Sequence, residues 1–508
     1  MYMFKPIDYL LDRITMYRLL LYYLIVLVAA ATGFSALGIL QYNPVTVGGS
    51  ALYLVAICWI SNKVFAYVFE TPANIESSLI TALILSLIIT PLDNLHNALF
   101  LSAAGILAIA SKYILAIKKK HIFNPAAVAV VLTSFGAHQA ASWWVGTTAM
   151  LPLVIAGGLL VIRKVQRVQM VLIFYATAFL SIGFFTYINN GDVLDSLQRA
   201  LLHSSLFFLA YVMLTEPFTS PVTGRSRAWY AALVGLIFSP QAHILGIYST
   251  PELALIVGNI YAFIVNPKVK LTPHLTKRKR IGADVVDFVF GLKKPMSYKP
   301  GQYMEWTLAH QGADARGNRR YFTLASSPTE DNLRLGVKFY PEGSTFKQAM
   351  LQIDNHTLLA ASNLGGDFVL PDNASRKLAF IAGGIGVTPY RSMIKYLLDT
   401  NDLRDITLLY SEKKPEDIVY RNVFDQAVAK LGIKVVYTLT ESAHVPADWQ
   451  GRTGIISEHM IKAEVPDYLE RVFYISGPQP MVSAMKHTLR SLGVSRHQIK
   501  TDFFPGYA

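Results

Sequence analysis

The chain of 508 residues has a single cysteine, Cys58, and little charge: Asp, Glu, Lys and Arg make up 16%, against 53% hydrophobic residues. One thiol excludes an intrachain disulfide. It also excludes an iron–sulfur cluster held by this chain alone, which takes about four mostly thiolate ligands, and a Cys-rich structural zinc site. Cys58 lies in the apolar run LVAICWI, which reads as a buried, inert thiol. So low a charge and so high an apolar content exclude disorder, a coiled coil and an ordinary soluble domain. The scarcity of charge is uneven. Residues 1–267 carry 14 Lys or Arg and 9 Asp or Glu, whereas residues 268–508 carry 32 and 24. The second part has the charge density of a globular protein and the first that of a polytopic membrane protein.

A spanning helix needs roughly 20 apolar residues. About ten segments predict one, near 19–40, 48–69, 77–92, 97–117, 125–140, 147–162, 168–188, 197–215, 228–245 and 252–267. The first run is too long for a signal peptide and lacks a convincing cleavage site. Residues 1–17, with Lys5, Asp8, Asp12 and Arg13 among apolar neighbours, predict a short amphipathic helix at the membrane surface. With ten spans, Lys118–Lys120, Arg163, Lys164, Arg167, Arg225, Arg227, Lys268, Lys270 and the run TKRKR (276–280) all fall on one side, and the opposite loops hold almost only Arg199. Basic loops stay cytoplasmic, so a multi-pass protein of the cell (inner) membrane with both termini in the cytoplasm is expected. The net charge of +13 then reflects topology and contact with anionic membrane lipid, not nucleic acid.

A weak internal echo links LIITPLD (87–93) and LTEPFTSP (214–221), two Thr- and Pro-broken runs five helices apart. Pro-interrupted segments at matching positions of inverted halves mark a ligand site near the membrane centre; Pro is also common at ordinary helix ends. Both readings stand at this level. The stretches KKKHIFNPAAVAVVL (118–132), WWVGTTAMLP (143–152) and FTSPVTGRSR (218–227) resemble the RnfD-type membrane component of Rnf complexes and the related membrane component of the sodium-pumping NADH:quinone oxidoreductase. That resemblance implies ten helices in two inverted halves, an FMN esterified to a threonine in a Ser/Thr-Gly-Ala-Thr context, and often a second, non-covalent flavin such as riboflavin. The matching residues are Val145, Gly146, Thr147 and Thr148, of which the glycine and the last threonine agree, so Thr148, then Thr147, is the implied attachment point. The competing reading is a hydroxyl capping the sixth helix. Haem is disfavoured: His96, His121, His138 and His243 lie near predicted helix ends, only His203 lies well within a span, and no pair shares a depth. The acids Glu70, Glu76, Asp93, Glu216 and Glu252 are few and read as unpaired, which speaks against ion pumping by this chain alone.

After residue 267 short alternating stretches appear, DVVDFVF (284–290), QYMEWTL (302–308) and LRLGVKFY (333–340), separated by turn residues. They predict a small antiparallel β-barrel over 268–375. From 376 to 508 apolar strands (KLAFIA, ITLLYS, KVVYTLT, RVFYIS) alternate with helices (RSMIKYLLD, RNVFDQAVAKL, MVSAMKHTLRSL), which predicts a parallel α/β sheet. The first strand runs into GGIGVTP (383–389) and a helix, an arrangement that receives a pyrophosphate. The last ends in SGPQPM (476–481), a second turn at the same sheet edge.

Barrel and sheet together resemble the ferredoxin–NADP reductase superfamily. In RYFTLASSP (320–328) the resemblance assigns Arg320 to a flavin phosphate, Phe322 to ring stacking where Tyr is usual, and Thr323 to the flavin N5 edge. In EGSTFKQ (342–348) it assigns Gly343, Ser344 and Thr345 to the FAD pyrophosphate; read alone, Ser344 or Thr345 would cap a helix. It places Gly383, Gly384, Gly386 and Thr388 at the nicotinamide nucleotide, with Gly477, Pro478 and Met481 opposite and Ser476 where many relatives carry a Cys beside the nicotinamide. Thr323 and Ser476 are thus the candidate catalytic residues. The tail residues Phe503, Phe504 and Tyr507 would cover the flavin or pack on the barrel. Ser411-Glu412-Lys413-Lys414 mixes groups suited to NADPH and to NADH and leaves that choice open. The expected function is a membrane electron-transfer domain (1–267) fed by NAD(P)H through FAD, delivering to a quinone or external acceptor, with a flavin transferase or other redox subunits as partners. Two alternatives stand beside it: an anchored reductase serving a soluble acceptor, and a subunit of an ion-translocating complex. No metal site is predicted.

Overall fold

The computed structural model describes residues 11, 14–69, 75–117, 120–244, 247–266, 270–292, 296–312, 314, 318–341, 343–441, 443 and 445–502. They fall into two compact units that divide after Asn266. Residues 1–10, 12 and 13 of the expected surface helix over 1–17, and the tail aromatics, lie outside the described residues.

The first unit is helical: α1 (Met16–Ala36), α2 (Pro44–Val68), α3 (Ile75–Ile88), α4 (Leu95–Ile114), α5 (Pro125–Ala137), α6 (Leu151–Val165), α7 (Val168–Ile188), α8 (Val193–Leu202), α9 (Leu206–Leu214), α10 (Gly224–Ile237) and α11 (Pro251–Val265). Among the described residues α1, α2, α7 and His96–Ile114 of α4 are long and apolar enough to cross a membrane. The pair α8–α9, bent by 58°, makes a fifth candidate. Helices α3, α5 and α11 are apolar but shorter. The eighth expected span, 197–215, is thus broken at residues 203–205, and its second half ends in a π-helical turn, Leu209–Leu214. His203, expected inside a span, instead caps α8 at the break and is exposed. The ninth expected span, 228–245, is replaced by an α10 that starts earlier and ends at Ile237.

Packing repeats between the halves. Helix α2 packs on α3 and α4, and α4 on α5; likewise α7 packs on α8, α9 and α10, and α10 on α11. Across the repeat α1 meets α6 and α5 meets α11. The last helix of each half opens the same way, with a side-chain cap and a proline: Asn124-Pro125 for α5 and Thr250-Pro251 for α11. The cap satisfies an orphan N–H, and the proline sits where its missing N–H costs nothing.

The second unit begins with antiparallel strands β1 (Lys270–Leu271), β2 (His274–Arg280), β3 (Val285–Gly291), β4 (Tyr303–Leu308), β5 (Arg319–Thr323), β6 (Leu333–Lys338) and β7 (Leu359–Gly365). They pair as two sheets, β6-β3-β2 and β1-β7-β4-β5, rather than as one closed barrel. Both line one core of Phe288, Phe290, Met304, Trp306, Leu335 and Phe346. On β6 the buried Leu333, Leu335 and Val337 alternate with less buried neighbours, the period-two pattern of a strand with one face inward.

A six-stranded parallel sheet follows, in the order β11 (Arg452–Thr453), β10 (Lys434–Leu439), β9 (Ile406–Glu412), β8 (Leu378–Gly383), β12 (Val472–Ser476), β13 (Ile499–Thr501). Helices α13 (Thr388–Thr400), α14 (Arg421–Leu431), α15 (Glu458–Glu464) and α16 (Gln479–Ser491) connect the strands. Every residue of β8 is buried, as a strand covered on both faces requires. The chain builds outward from β8 to β11, then returns to place β12 on the other side of β8. That reversal leaves a crevice beyond the carboxyl ends of β8 and β12.

Candidate functional site

Two glycine turns meet at this crevice. The Gly383–Gly386 turn ends β8, and Gly477-Pro478 ends β12. A Cβ on Gly386 would stand 2.5 Å from the Gly477 nitrogen and from the Ser476 carbonyl. A Cβ on Gly383 would run into the Met481 sulfur, with Pro478 3.3 Å away. Only glycine allows so close a backbone approach, and Gly384, at φ +57°, uses the left-handed region. The Tyr390 hydroxyl, from α13, donates to the Tyr474 carbonyl (2.8 Å) and the Ile381 carbonyl (3.1 Å), stapling β12 to β8 beneath the turns. Thr388 is buried and donates to the Ile385 carbonyl at 3.1 Å.

The flavin-type residues lie on β5 and at the start of α12 (Thr345–Gln352). Alternation along β5 puts Arg320 and Phe322 on one face and Thr323 on the other. Phe322 and the Arg320 guanidinium both approach the Phe346 ring, at 6.1 and 5.3 Å. Ser344 caps α12, accepting from the Lys347 N–H at 3.4 Å, while Gly343 precedes it. The Thr345 N–H donates to Asp314 Oδ2 at 3.2 Å, and Arg320 lies 3.5 Å from Asp314 Oδ1. A carboxylate thus occupies a cradle made by a guanidinium and a helix N-terminus, the donor set a phosphate takes. These residues fit an FAD pyrophosphate.

Thr323 points to a residue that sequence reasoning missed. Asp502, just beyond β13, accepts from the Thr323 hydroxyl at 3.5 Å and from the Ser476 hydroxyl at 3.2 Å on the same oxygen, Oδ2. Both hydroxyl residues are buried. A flavin-strand hydroxyl and a nucleotide-turn hydroxyl therefore share one carboxylate.

In the first unit, Thr148 is exposed, whereas the Thr147 hydroxyl is buried and has no hydrogen-bond partner among the described residues. Neither caps α6; the helix starts at Leu151 with Met150 as its N-cap, which removes the capping reading. Gly146 lies against the Ser204 carbonyl at the α8–α9 break. The preceding residues close off α3: Trp143 and Val145 N–H groups donate to the Ile88 and Leu87 carbonyls at 2.9 and 3.2 Å, and the Trp144 indole donates to the Ile89 carbonyl at 2.9 Å. These are carbonyls that a helix end leaves open. Two acids expected to be unpaired have partners. Glu216 accepts from Asn124 Nδ2 at 2.9 Å with His121 at 3.7 Å, and Glu252 accepts from the Trp143 indole at 2.6 Å.

The sequence matches three family descriptions in order: NQR2, RnfD, RnfE family over residues 138–270, oxidoreductase FAD-binding domain over 272–361, and oxidoreductase NAD-binding domain over 380–487. The chain is a fusion of an NQR2/RnfD/RnfE-family membrane segment with a ferredoxin reductase-type FAD- and NAD-binding module. The fusion is 30% identical to a glycine betaine monooxygenase reductase subunit of Chromohalobacter salexigens, over 41% of this chain and 57% of that protein. It therefore spans little more than half the length of that relative. It is 27% identical to an NADH-cytochrome b5 reductase 1 of Aspergillus oryzae, over 56% of the fusion and 94% of that protein. The cytochrome b5 reductase domain of Ulva prolifera nitrate reductase is 23% identical, over 47% of the fusion and 98% of that chain, at a TM-score of 0.41.

In the fusion, Glu412 ends β9 with its carboxyl buried against the Tyr410 hydroxyl, 3.1 Å away, and Lys413 is exposed with Glu441 at 3.3 Å. Burial pushes the Glu412 carboxyl up to about 7, Lys338 opposing and Asp417 adding. The folded unit thus holds this proton more tightly than the unfolded chain does. The stabilisation is full below the ordinary value of 4.5 and is lost as pH rises through about 7. About 3 kcal/mol is the upper bound. The melting temperature read from flavin release is expected to fall across this window relative to Glu412→Gln; parallel curves would contradict the assignment.

Proposed function

We propose that the chain is a membrane-bound NAD(P)H oxidoreductase. NAD(P)H gives hydride to FAD on the cytoplasmic side, and electrons pass into the bundle, to a flavin held there, and on to a quinone or an external acceptor. The observation that carries this reading is the meeting of Thr323 and Ser476 on Asp502, in a chain whose first part belongs with NQR2, RnfD and RnfE. FAD, when bound, supplies the exchange between a two-electron hydride and single electrons.

The protein's own part is binding and alignment. Arg320 and the α12 start, with Gly343, Ser344 and Thr345, hold the flavin pyrophosphate. Gly383, Gly384, Gly386 and Thr388 take the nicotinamide nucleotide, closed from the other side by Gly477, Pro478 and Met481. Thr323 sits at the flavin edge and Ser476 at the nicotinamide. Because Asp502 accepts both hydroxyl protons, each oxygen turns a lone pair outward, which fixes two rotors before the reactants arrive. Asp502→Asn is expected to slow flavin reduction about tenfold, some 1.4 kcal/mol, with FAD retention unchanged. Anaerobic stopped-flow absorbance measures it, and a wild-type rate removes Asp502 from the site.

The reading as a whole is tested by purification. The protein is expected to be yellow and to bleach anaerobically on adding NADH or NADPH. Colourless protein, or colour that no dinucleotide discharges, ends the proposal. In the bundle, the exposed Thr148 is the proposed site of the FMN ester, made by a flavin transferase, and a second flavin such as riboflavin is proposed near the broken helices. A second reading, coupled movement of Na⁺ or H⁺, is favoured by the half-buried Glu216 and the buried Glu252, both hydrogen-bonded. Proteoliposomes given NAD(P)H that build no ion gradient would dismiss it.

A further inference from the structure

The charge run TKRKR lies on β2, the outermost strand of its sheet, with one backbone edge unpaired. Lys277, Arg278, Lys279 and Arg280 are all exposed. Among the described residues none of the four is in an ion pair. Arg278 donates to the Leu351 carbonyl and Arg280 to the Ala283 carbonyl, contacts that leave the charges uncompensated. Asp287, across from Lys279 on β3, is buried and committed to Arg334 and to the Tyr420 hydroxyl. The nearby acid of the hairpin turn, Asp284, is exposed and opposes four cations. Beside Arg278, Leu351 at the end of α12 is 40% exposed, an apolar side chain bordering the basic strip. Charged side chains on an edge strand discourage its pairing with other chains. This edge carries four consecutive exposed cations beside the exposed apolar side chain of Leu351.

The place of the strip in the chain supplies the partner. Helix α11 ends at Val265, and Lys277 follows twelve residues later, at most about 40 Å of extended chain. Clusters of four or more basic residues that follow a membrane segment are attracted to anionic headgroups, and the attraction decays within a Debye length. We propose that β2 is a docking strip for the anionic phospholipid headgroups of the leaflet from which α11 emerges, so that the flavin-binding unit rests on the membrane by this edge. The proposal relies on the reading that the first unit spans a membrane.

The test uses the full chain in nanodiscs. Hydrogen exchange of the segment 274–280 is compared in phosphatidylcholine alone and with about one-third phosphatidylglycerol. The outward amides of β2 are expected to exchange about tenfold more slowly in the anionic discs, the protection vanishing at high salt. The variant K277Q/R278Q/K279Q/R280Q should show no lipid dependence, while its NAD(P)H–ferricyanide rate stays within about twofold of wild type, since no site residue is touched. Equal exchange in the two lipids, or protection that persists in the variant, overturns the docking strip. Loss of the ferricyanide rate in the unaltered protein would instead strike the oxidoreductase reading, and failure to enter the discs the membrane reading.

Discussion

Gly386→Ala is expected to retain FAD and lose at least about a hundredfold in the rate of flavin reduction by NAD(P)H, some 2.7 kcal/mol. The added methyl would stand 2.5 Å from backbone atoms of Ser476 and Gly477, which cannot move aside as the tip of a flexible side chain can. Relief requires the two turns to part, and with them the walls between which the nicotinamide nucleotide is proposed to lie. The flavin cradle of Arg320 on β5 and Thr345 on α12 belongs to other elements and is left alone. Gly432→Ala, at the end of α14 and outside the two turns, is the control. It meets nothing within 4 Å and suffers only its positive φ, a penalty of roughly 1 kcal/mol. Anaerobic bleaching by NADH and NADPH, beside chemical reduction by dithionite, separates dinucleotide binding from flavin loss. If Gly386→Ala reduced its flavin at the wild-type rate, the contact between the turns would have no bearing on the reaction.

The second large effect is all-or-none. After coexpression with a flavin transferase, the denatured protein is expected to fluoresce in a gel, and Thr148→Val to abolish the signal entirely. Thr147→Val should keep it, because the Thr147 hydroxyl is buried and out of a transferase's reach, while Thr148 is exposed. Fluorescence surviving Thr148→Val but lost in Thr147→Val would reverse the assignment. A dark band from the unaltered protein would favour the anchored reductase over the electron relay.

Much of this architecture was legible because its signals are local. Apolar runs gave most of the helices of the first unit to within a few residues, and strand–helix alternation gave the four longer parallel strands. What escaped was set by distant contacts or by weak local cues. The break at residues 203–205 hides in LLHSSLFF, a run apolar enough to read as continuous. The start of α6 was misjudged because Thr147 to Met150 form a turn of their own, with the Thr147 carbonyl accepting from Met150 and Leu151 N–H groups. Strands β11 and β13, of two and three residues, are too short to show a period. The division of the antiparallel strands into two sheets depends on pairings far apart in sequence. Asp502 was invisible for the same reason: it reaches Thr323 across 179 positions, and nothing near it in the sequence announces a site.

The clasp of Trp143, Trp144 and Val145 over the end of α3 sets an order of events in biogenesis. The strip leading to Thr148 takes its shape from carbonyls more than fifty residues upstream, which exist as a helix end only once the first half has folded. A modifying enzyme at Thr148 would therefore recognise a finished surface rather than a nascent peptide. Maturation would follow assembly, and a fragment lacking α3 would leave the threonine present but unpresented.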